Sequence, residues 1–251
     1  MNMNLGISAL IYNLNEAIDI CSKYKEINHI EVGIDNLYEC KDLYKYKQKL
    51  DDMGISIGIH LPMELNTCEN IEYIRESWID FICKIHEELN QFDIKYYNLH
   101  LGYAITNRLM KNRCKYLDNS IKFLQNEKLP KNILIENVYT KFGDYSNIGN
   151  QVKDFEYIFS KVKNNINFCY DTGHNLINED TYIEDLQNKI SIIHLSDNDG
   201  IEDIHIGIGK GILSEEEINK ILNIQCDYII LEIGYMYIEE TMKKLSNYKK
   251  R

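Results

Sequence analysis

Six short apolar runs of the chain each carry one histidine or carboxylate near their end. They read SIGIHLP, YYNLHLG, ILIENV, FCYDTGH, SIIHLSD and IILEIG, and these polar residues are His60, His100, Glu136, Asp171, His194 and Glu232. Three further candidates follow closely in the next segments: His174, Asp203 and His205. Histidine nitrogen and carboxylate oxygen together suit zinc, manganese, cobalt or iron(II). The nine residues therefore predict a divalent metal site that holds one to three ions.

A single histidine at the end of an apolar run is more often a hydrogen-bonded core residue than a metal ligand. Here five of the seven histidines lie at or just after such ends, whereas His29 begins a run and His86 lies in a helical stretch. Burying so many ionisable groups without a cation would cost on the order of several kcal/mol for each. The pattern as a whole therefore favours a metal site.

The segment IIHLSDNDGIEDIHIGIGKG, residues 192–211, suggests two other ligands at first sight. Its DNDG resembles the middle of an EF-hand loop, but Leu195 stands where that loop needs an acidic residue. Its glycines, at 207, 209 and 211, match neither common phosphate-binding spacing. We therefore predict neither a calcium loop nor a nucleotide cradle.

The elements that must position these residues are eight apolar runs of strand length, separated by stretches with helical spacing. The predicted strands are Leu5–Leu10, His29–Ile34, Ile55–Leu61, Tyr96–Leu101, Ile133–Val138, Ile166–Tyr170, Ile190–Leu195 and Tyr228–Ile233. A capping box, Ser214 with Glu217, marks one helix start. Alternating strands and helices in a chain of 251 residues predict one α/β domain over 1–251, a (β/α)8 TIM barrel. An open doubly wound sheet would need a glycine-rich turn after the first strand, and SALIYNLNEA has none.

The barrel prediction explains why the polar residues end their strands. The carboxyl ends of barrel strands meet at one mouth, so that residues distant in sequence lie close together there. We therefore expect the metal site at the C-terminal mouth.

The composition excludes several classes of protein. No apolar run approaches the roughly 18 residues of a membrane span, and MNMNLGISAL lacks the basic start of a signal peptide, so we expect a cytoplasmic protein without membrane contact. Seven cysteines without a C-x-x-C pair indicate reduced thiols. The net charge of −11 argues against a strong sequence-independent grip on nucleic acid.

The ordered motifs resemble those of a known family. They are HLPMELN from His60, LHLG around His100, IEN at Glu136, DTGH from Asp171, HLSD from His194, DIHIGIGKG from Asp203 and LE at Glu232. As a set they are similar, over essentially the whole chain, to the xylose isomerase-like TIM barrels (AP endonuclease family 2). That superfamily contains sugar and sugar phosphate isomerases and epimerases together with the endonuclease IV group of apurinic-site nucleases.

The resemblance implies roles for the nine residues. In the isomerase and epimerase branch, one divalent metal is held at the positions that match Glu136, Asp171, His194 and Glu232, and the two glutamates also form the catalytic acid/base pair. In endonuclease IV the same quartet holds one zinc ion. A second zinc there is held at the positions of His60, His100 and Glu136, and a third at those of His174, Asp203 and His205.

Three departures from the nuclease pattern favour the sugar branch. Glu31 stands in an I-E-x-G context typical of the isomerases, Met63 replaces an aromatic residue, and Ile233-Gly234 replaces a Thr-Pro pair. The resemblance thus implies an isomerase or epimerase acting on a small sugar or sugar phosphate. The alternative is a multinuclear zinc phosphoester hydrolase that binds nucleic acid, and a third interpretation is a sugar-binding protein without turnover.

Two residues are candidate substrate contacts. Lys210, in IGKG, could meet a substrate phosphate, although an exposed loop lysine is the simpler interpretation. Tyr103 follows a strand end, where its ring would stack on a sugar or on a base. The sequence leaves open whether identical chains assemble into a homo-oligomer.

Overall fold

The apolar runs form the strands of a closed barrel, and the helical stretches between them pack around it. The computed structural model describes residues 4–141 and 143–248. Both ends of the predicted domain, 1–3 and 249–251, and position 142 lie outside the described residues. The strands are β1 (Leu5–Leu10), β2 (Ile27–Gly33), β3 (Ser56–His60), β4 (Ile94–His100), β5 (Tyr103–Ile105), β6 (Ile133–Glu136), β7 (Tyr145–Asn147), β8 (Asn167–Asp171), β9 (Ile190–Leu195) and β10 (Tyr228–Leu231).

The helices follow the strands in turn. They are α1 (Leu14–Lys23), α2 (Leu37–Tyr44), α3 (Lys47–Met53), α4 (Glu72–Glu88), α5 (Thr106–Leu124), α6 (Val152–Lys161), α7 (Thr172–Ile177), α8 (Tyr182–Leu186), α9 (Glu215–Leu222) and α10 (Ile238–Tyr248). Short 3-10 helices span Ile11–Asn13, Gln187–Lys189 and Tyr235–Tyr237. Within the described residues, no helix is long and apolar enough to cross a membrane.

Eight strands pair in parallel in the closed order β1-β10-β9-β8-β6-β4-β3-β2. The predicted (β/α)8 barrel is confirmed, and each predicted strand overlaps one of these eight. Two registers matter most for the site, because His100 pairs with Glu136 and Asp171 pairs with His194. These neighbouring strands therefore present their polar residues side by side at their carboxyl ends.

Below the mouth, large side chains fill the barrel interior. The rings of His29, Tyr96 and Tyr228 stack there, with His29 and Tyr228 centroids 4.0 Å apart. A Cβ at Gly58 would overlap the Tyr96 ring, so the glycine of SIGIH makes room for that tyrosine. The barrel is thus a packed core with an opening at one end.

Two local features of the helices bear on the predictions. Ser214 accepts a hydrogen bond from the Glu217 N–H, and Glu217 accepts one from the Ser214 N–H, which confirms the predicted capping box. The stretch YECKDLYKYKQKLDDMG, between β2 and β3, forms two helices, α2 and α3, separated at Lys45 and Tyr46. The antiparallel pair of β5 and β7 follows no apolar run and was not predicted.

Candidate metal centre

The nine predicted ligands surround one end of the barrel. His60, His100, Glu136 and Asp171 are the last residues of β3, β4, β6 and β8, and His194 is the next-to-last residue of β9. Glu232 directly follows β10, while His174 lies in α7 and the pair Asp203 and His205 lies in the loop after β9. Seven of the nine line a cavity of about 660 Å³ at the mouth, and the other two, Asp171 and His194, are fully buried beside it.

The donor atoms form three sets in which all atoms lie within 4.8 Å of one another. The sets are His60, His100 and Glu136; Glu136, Asp171, His194 and Glu232; and Glu136, Cys169 and His194. The first two coincide with two groups that the family resemblance implies. Glu136 belongs to all three sets, so its carboxylate would contribute to whichever of them holds a metal ion.

The remaining trio is arranged around Asp203. Its Oδ2 lies 3.2 Å from Nε2 of His174 and 3.3 Å from Nε2 of His205. This trio is not among the sets whose donor atoms all lie within 4.8 Å in the part of the chain that the structure describes. Asp203 therefore contacts both histidines, but the donor atoms of the three residues are more widely spaced than those of the other sets.

Three of the histidines are oriented by hydrogen bonds to backbone carbonyls. Nδ1 of His60 lies 2.8 Å from the oxygen of Leu61, Nδ1 of His174 lies 2.8 Å from that of Asn137, and Nδ1 of His205 lies 2.9 Å from that of Glu232. A protonated Nδ1 leaves Nε2 with its lone pair directed into the site. This is the arrangement of a metal-binding histidine.

His194 has the opposite orientation. Its Nδ1 lies 2.7 Å from Oε2 of Glu232, and its Nε2 lies 3.0 Å from Oε1 of Glu31. Glu31 is buried in β2 and is thus positioned to hold the Nε2 proton, which would leave Nδ1 as the ligand atom. In the sequence, Glu31 is distinguished only by its I-E-x-G context, and its contact with His194 was not predicted.

The loop after β9 holds His205 in an unusual backbone conformation. Its φ is 46°, in the left-handed region that residues other than glycine rarely adopt. Asp197 and Ile206 form an antiparallel bridge beside it, and the Gly234 N–H donates to the His205 carbonyl at 2.9 Å. These contacts sustain the strain, as is common at functional sites.

The charges of the cluster perturb one another strongly. Burial opposes ionisation of Glu136, but the charges of His194 and His100 hold its pKa well below the usual value. Burial likewise opposes ionisation of Glu232, while His194 lowers its pKa to about 2. Burial alone would lower the pKa of His60, yet hydrogen bonding to Glu136 and its charge raise it to about 9. Such shifts cluster at functional sites.

Several buried polar atoms in the cluster have no hydrogen-bond partner, although native proteins satisfy most such atoms. They include His100 Nε2, Asp171 Oδ2, His194 Nδ1, Asp203 Oδ1 and Glu232 Oε2. These five atoms belong to predicted ligands and are histidine nitrogens or carboxylate oxygens. His194 Nε2, Glu31 Oε2, Asn98 Oδ1 and Ser196 Oγ also have no hydrogen-bond partner, and the last three belong to residues that are not predicted ligands. The donor set therefore fits divalent first-row metals, which bind these atom types.

The two candidate substrate contacts lie away from this cavity. Lys210 forms an ion pair with Glu240 of α10. Tyr103, in β5, packs edge-on against Tyr145 of β7 and lines a separate cavity of about 190 Å³. All nine candidate ligands therefore lie at or beside the mouth cavity, whereas neither Lys210 nor Tyr103 lines it.

Comparison with known proteins agrees with this architecture. The chain is 28% identical over 230 residues to the uncharacterized protein MJ1614 of Methanocaldococcus jannaschii, covering 87% of each. It is 25% identical over 204 residues to a protein of Alkaliphilus oremlandii named Probable endonuclease 4, covering 74% of this chain and 71% of that one. The crystal structure of a D-tagatose 3-epimerase-like protein superposes with a TM-score of 0.82 at 22% identity, over 99% of this chain and 97% of the other.

The likeness to the epimerase-like protein shows a shared fold alone at this level of identity. The family model described as xylose isomerase-like TIM barrel matches residues 18–248, which is most of the chain. That range includes all nine candidate ligands and every barrel strand except β1. The chain therefore belongs to the xylose isomerase-like TIM barrel family.

Proposed function

We propose that this protein is a divalent-metal-dependent isomerase or epimerase of a small sugar or sugar phosphate. The observation that carries the proposal is that Glu136 and Glu232 share one donor set with Asp171 and His194 and also line the cavity. Two carboxylates beside one metal position are what proton transfer next to a carbonyl requires. A cavity of about 660 Å³ also has the size of a small-molecule site.

The two glutamates divide the proton transfer between them. Glu136, Asp171, His194 and Glu232 would hold a divalent ion, which would supply Lewis-acid polarisation of the substrate carbonyl and adjacent hydroxyl. One carboxylate removes the proton from the carbon beside the carbonyl, the C–H electron pair forms a C=C bond, and the carbonyl π pair moves onto oxygen. The other glutamate takes up a proton from water in the cavity and donates it to carbon as the C=C bond reverts and the carbonyl re-forms. The first glutamate then returns its proton to water.

The surroundings of the glutamates support these roles. The pKa of each lies below its usual value because the neighbouring histidine charges outweigh burial, so either is ionised at neutral pH and able to act as a base. The Nδ2 group of Asn98 donates to Oε2 of Glu136 at 2.5 Å, which fixes that carboxylate in the donor set. The oriented pair is thus prepared before substrate binds.

A second candidate function is phosphoester hydrolysis on a multinuclear zinc centre. It is favoured by the presence of all nine ligand positions and by the relative named for an endonuclease. In that reaction Glu136 or Glu232 would orient the attacking water. We rank it second because Met63, which is exposed at the mouth, lacks the stacking surface of an aromatic residue beside a nucleic acid.

Deuterium exchange distinguishes the two functions. The protein is reconstituted with manganese, cobalt or zinc and incubated with free and phosphorylated ketoses in D2O. We expect deuterium at the carbon next to the carbonyl, detected by NMR, with Glu136→Gln as the inactive control. Cleavage of abasic DNA without any exchange would support the hydrolase instead. The cytoplasmic location stays a prediction.

A further inference from the structure

The walls of the mouth cavity carry negative charge beyond the candidate ligands. Four carboxylates outside the ligand set line it: Glu16, Glu31, Asp35 and Glu64. Across 4–141 and 143–248, the ranges that the structure describes, no lysine or arginine lines this cavity. Bound metal would offset the charge of the ligand carboxylates, and Glu31 faces His194, which leaves the charges of Glu16, Asp35 and Glu64. A substrate anion would therefore meet like charge on the walls.

Two of these carboxylates lie at the outer edge of the cavity and affect each other. Burial raises the pKa of Asp35, and the negative charges of Glu39 and Glu64 raise it further. Glu64 and Asp35 are both exposed to solvent. The entrance to the cavity is therefore a region of negative potential that an anionic substrate would have to cross.

The glycine-rich loop IGIGKG is the natural place to seek a phosphate cradle, since backbone N–H groups bind anions well. Five of its six N–H groups, all but that of Gly207, donate to an acceptor within the protein. The carboxylate of Asp197 accepts hydrogen bonds from the N–H groups of Gly209, Gly211 and Leu213, each at 2.9 Å. Asp197 is completely buried. These amides are therefore committed to an internal anion and are not offered to a ligand.

The backbone at this loop also packs too closely to rearrange easily. A Cβ at Gly211 would overlap the carbonyl oxygen of Asn198, so the loop lies directly on the segment that carries Asp197. The N–H of Ile212 donates to that same oxygen at 2.9 Å. Close packing and hydrogen bonds thus fix the loop in the arrangement that encloses the Asp197 carboxylate.

The lysines near the loop have acidic partners of their own. Lys210 is paired with Glu240, and Lys244, whose side chain reaches Gly209, lies 2.7 Å from Glu215. Neither lysine lines the mouth cavity. Both lysines, and every amide of the loop except that of Gly207, are thus engaged within the protein.

We propose that the substrate is an uncharged polyhydroxy aldehyde or ketone and that a phosphorylated sugar is excluded. This inference rests on the proposed isomerase or epimerase function and narrows its substrate class. Hydroxyl groups can hydrogen-bond to wall carboxylates as donors, whereas a phosphate dianion has no donor at neutral pH and is repelled.

The test compares matched sugars on the metal-reconstituted protein. D-Fructose and D-ribulose are each paired with the phosphate ester of their terminal hydroxyl, and kcat/KM is measured from deuterium exchange in D2O. We expect each free ketose to be preferred over its phosphate by at least about 100-fold. Equal rates, or preference for a phosphate ester, would overturn the inference while leaving the isomerase function intact. Cleavage of abasic DNA without exchange on any sugar would overturn both.

A pair of variants tests the cause of the discrimination. The double variant that combines Asp35→Asn and Glu64→Gln lacks two negative charges at the entrance. Its preference for the free ketose over the phosphate ester should be about 10-fold smaller than that of the wild type. The matched control, Asp52→Asn with Glu127→Gln, removes the same charges from exposed positions before β3 and β6, at the opposite end of the barrel. A control pair that reduced the preference equally would show a net-charge effect and contradict the role of the cavity walls.

Discussion

Nε2 of His194 lies 3.0 Å from Oε1 of Glu31, and both side chains are buried beneath the mouth of the barrel. The other ring nitrogen, Nδ1, faces Glu232 at 2.7 Å. A carboxylate behind a metal-binding histidine fixes its tautomer and makes it a better ligand. Glu31 is therefore a positioning residue, which acts on the metal through His194 without being a ligand itself.

Replacing Glu31→Gln should weaken metal binding by about 10- to 100-fold, because the amide lacks the negative charge that holds the Nε2 proton. Chelator competition measures the affinity directly. Glu64→Gln is the matched control, since Glu64 lines the same cavity without contacting His194, and we expect its affinity to equal that of the wild type. If the two variants bind metal with equal affinity, Glu31 does not contribute to metal binding.

Replacing Glu136→Gln or Glu232→Gln should reduce proton exchange by about 100- to 10,000-fold, the usual contribution of a general acid or base. The fold should be intact, because an amide has nearly the same shape as a carboxylate. The measurement is exchange into substrate in D2O, with circular dichroism as the check on folding. Near-normal exchange in either variant would exclude that glutamate from the reaction.

The Asp197→Ala substitution should lower the free energy of unfolding by about 3 kcal/mol, because four backbone N–H groups would lose a charged acceptor. Urea unfolding measures the loss. Asp199→Ala serves as the control, since Asp199 accepts two backbone N–H groups nearby but is exposed, and its loss should be much smaller. Similar losses in the two variants would contradict the structural role of Asp197.

His29 gives the protein a pH-dependent stability. Burial lowers its pKa from 6.5 to about 3, so below pH 6.5 the unfolded chain binds the proton that the folded chain rejects. Stability from this residue is present above pH 6.5 and falls as the pH falls toward 3, by about 2 kcal/mol at pH 5. At saturating metal, the free energy of unfolding should fall less between pH 7 and pH 5 in the His29→Gln variant than in the wild type. The difference should be about 2 kcal/mol. An unchanged pH dependence in urea unfolding would contradict this account.

The sequence was sufficient to predict the barrel, because each strand is an apolar run bounded by helical stretches. It also identified the nine candidate ligands, since six stand at or beside strand ends, which meet at one mouth, and His174, Asp203 and His205 lie in the segments that follow β8 and β9. The bounds of β1 and β9 were predicted to the residue, whereas β2 and β4 begin two residues earlier than their apolar runs.

What could not be predicted depends on contacts between distant segments. Glu31 and His194 belong to β2 and β9, and nothing local to either strand reveals their pairing. Asp197 reads as part of a polar loop, yet it is buried because the following glycine-rich segment folds back over it. Tyr103 closely follows β4 and Lys210 lies in the glycine-rich loop after β9, but their side chains contact Tyr145 and Glu240.

The most direct test of the account is to count the metal ions bound per chain in the purified protein by mass spectrometry and elemental analysis. We expect one to three equivalents of zinc, manganese, cobalt or iron per chain, reduced by His194→Ala and unaffected by His86→Ala, because His86 contacts Tyr97 in the outer layer of the barrel. A protein that holds no such ion, and binds none when zinc or manganese is added, would contradict the metal centre and the reaction built on it.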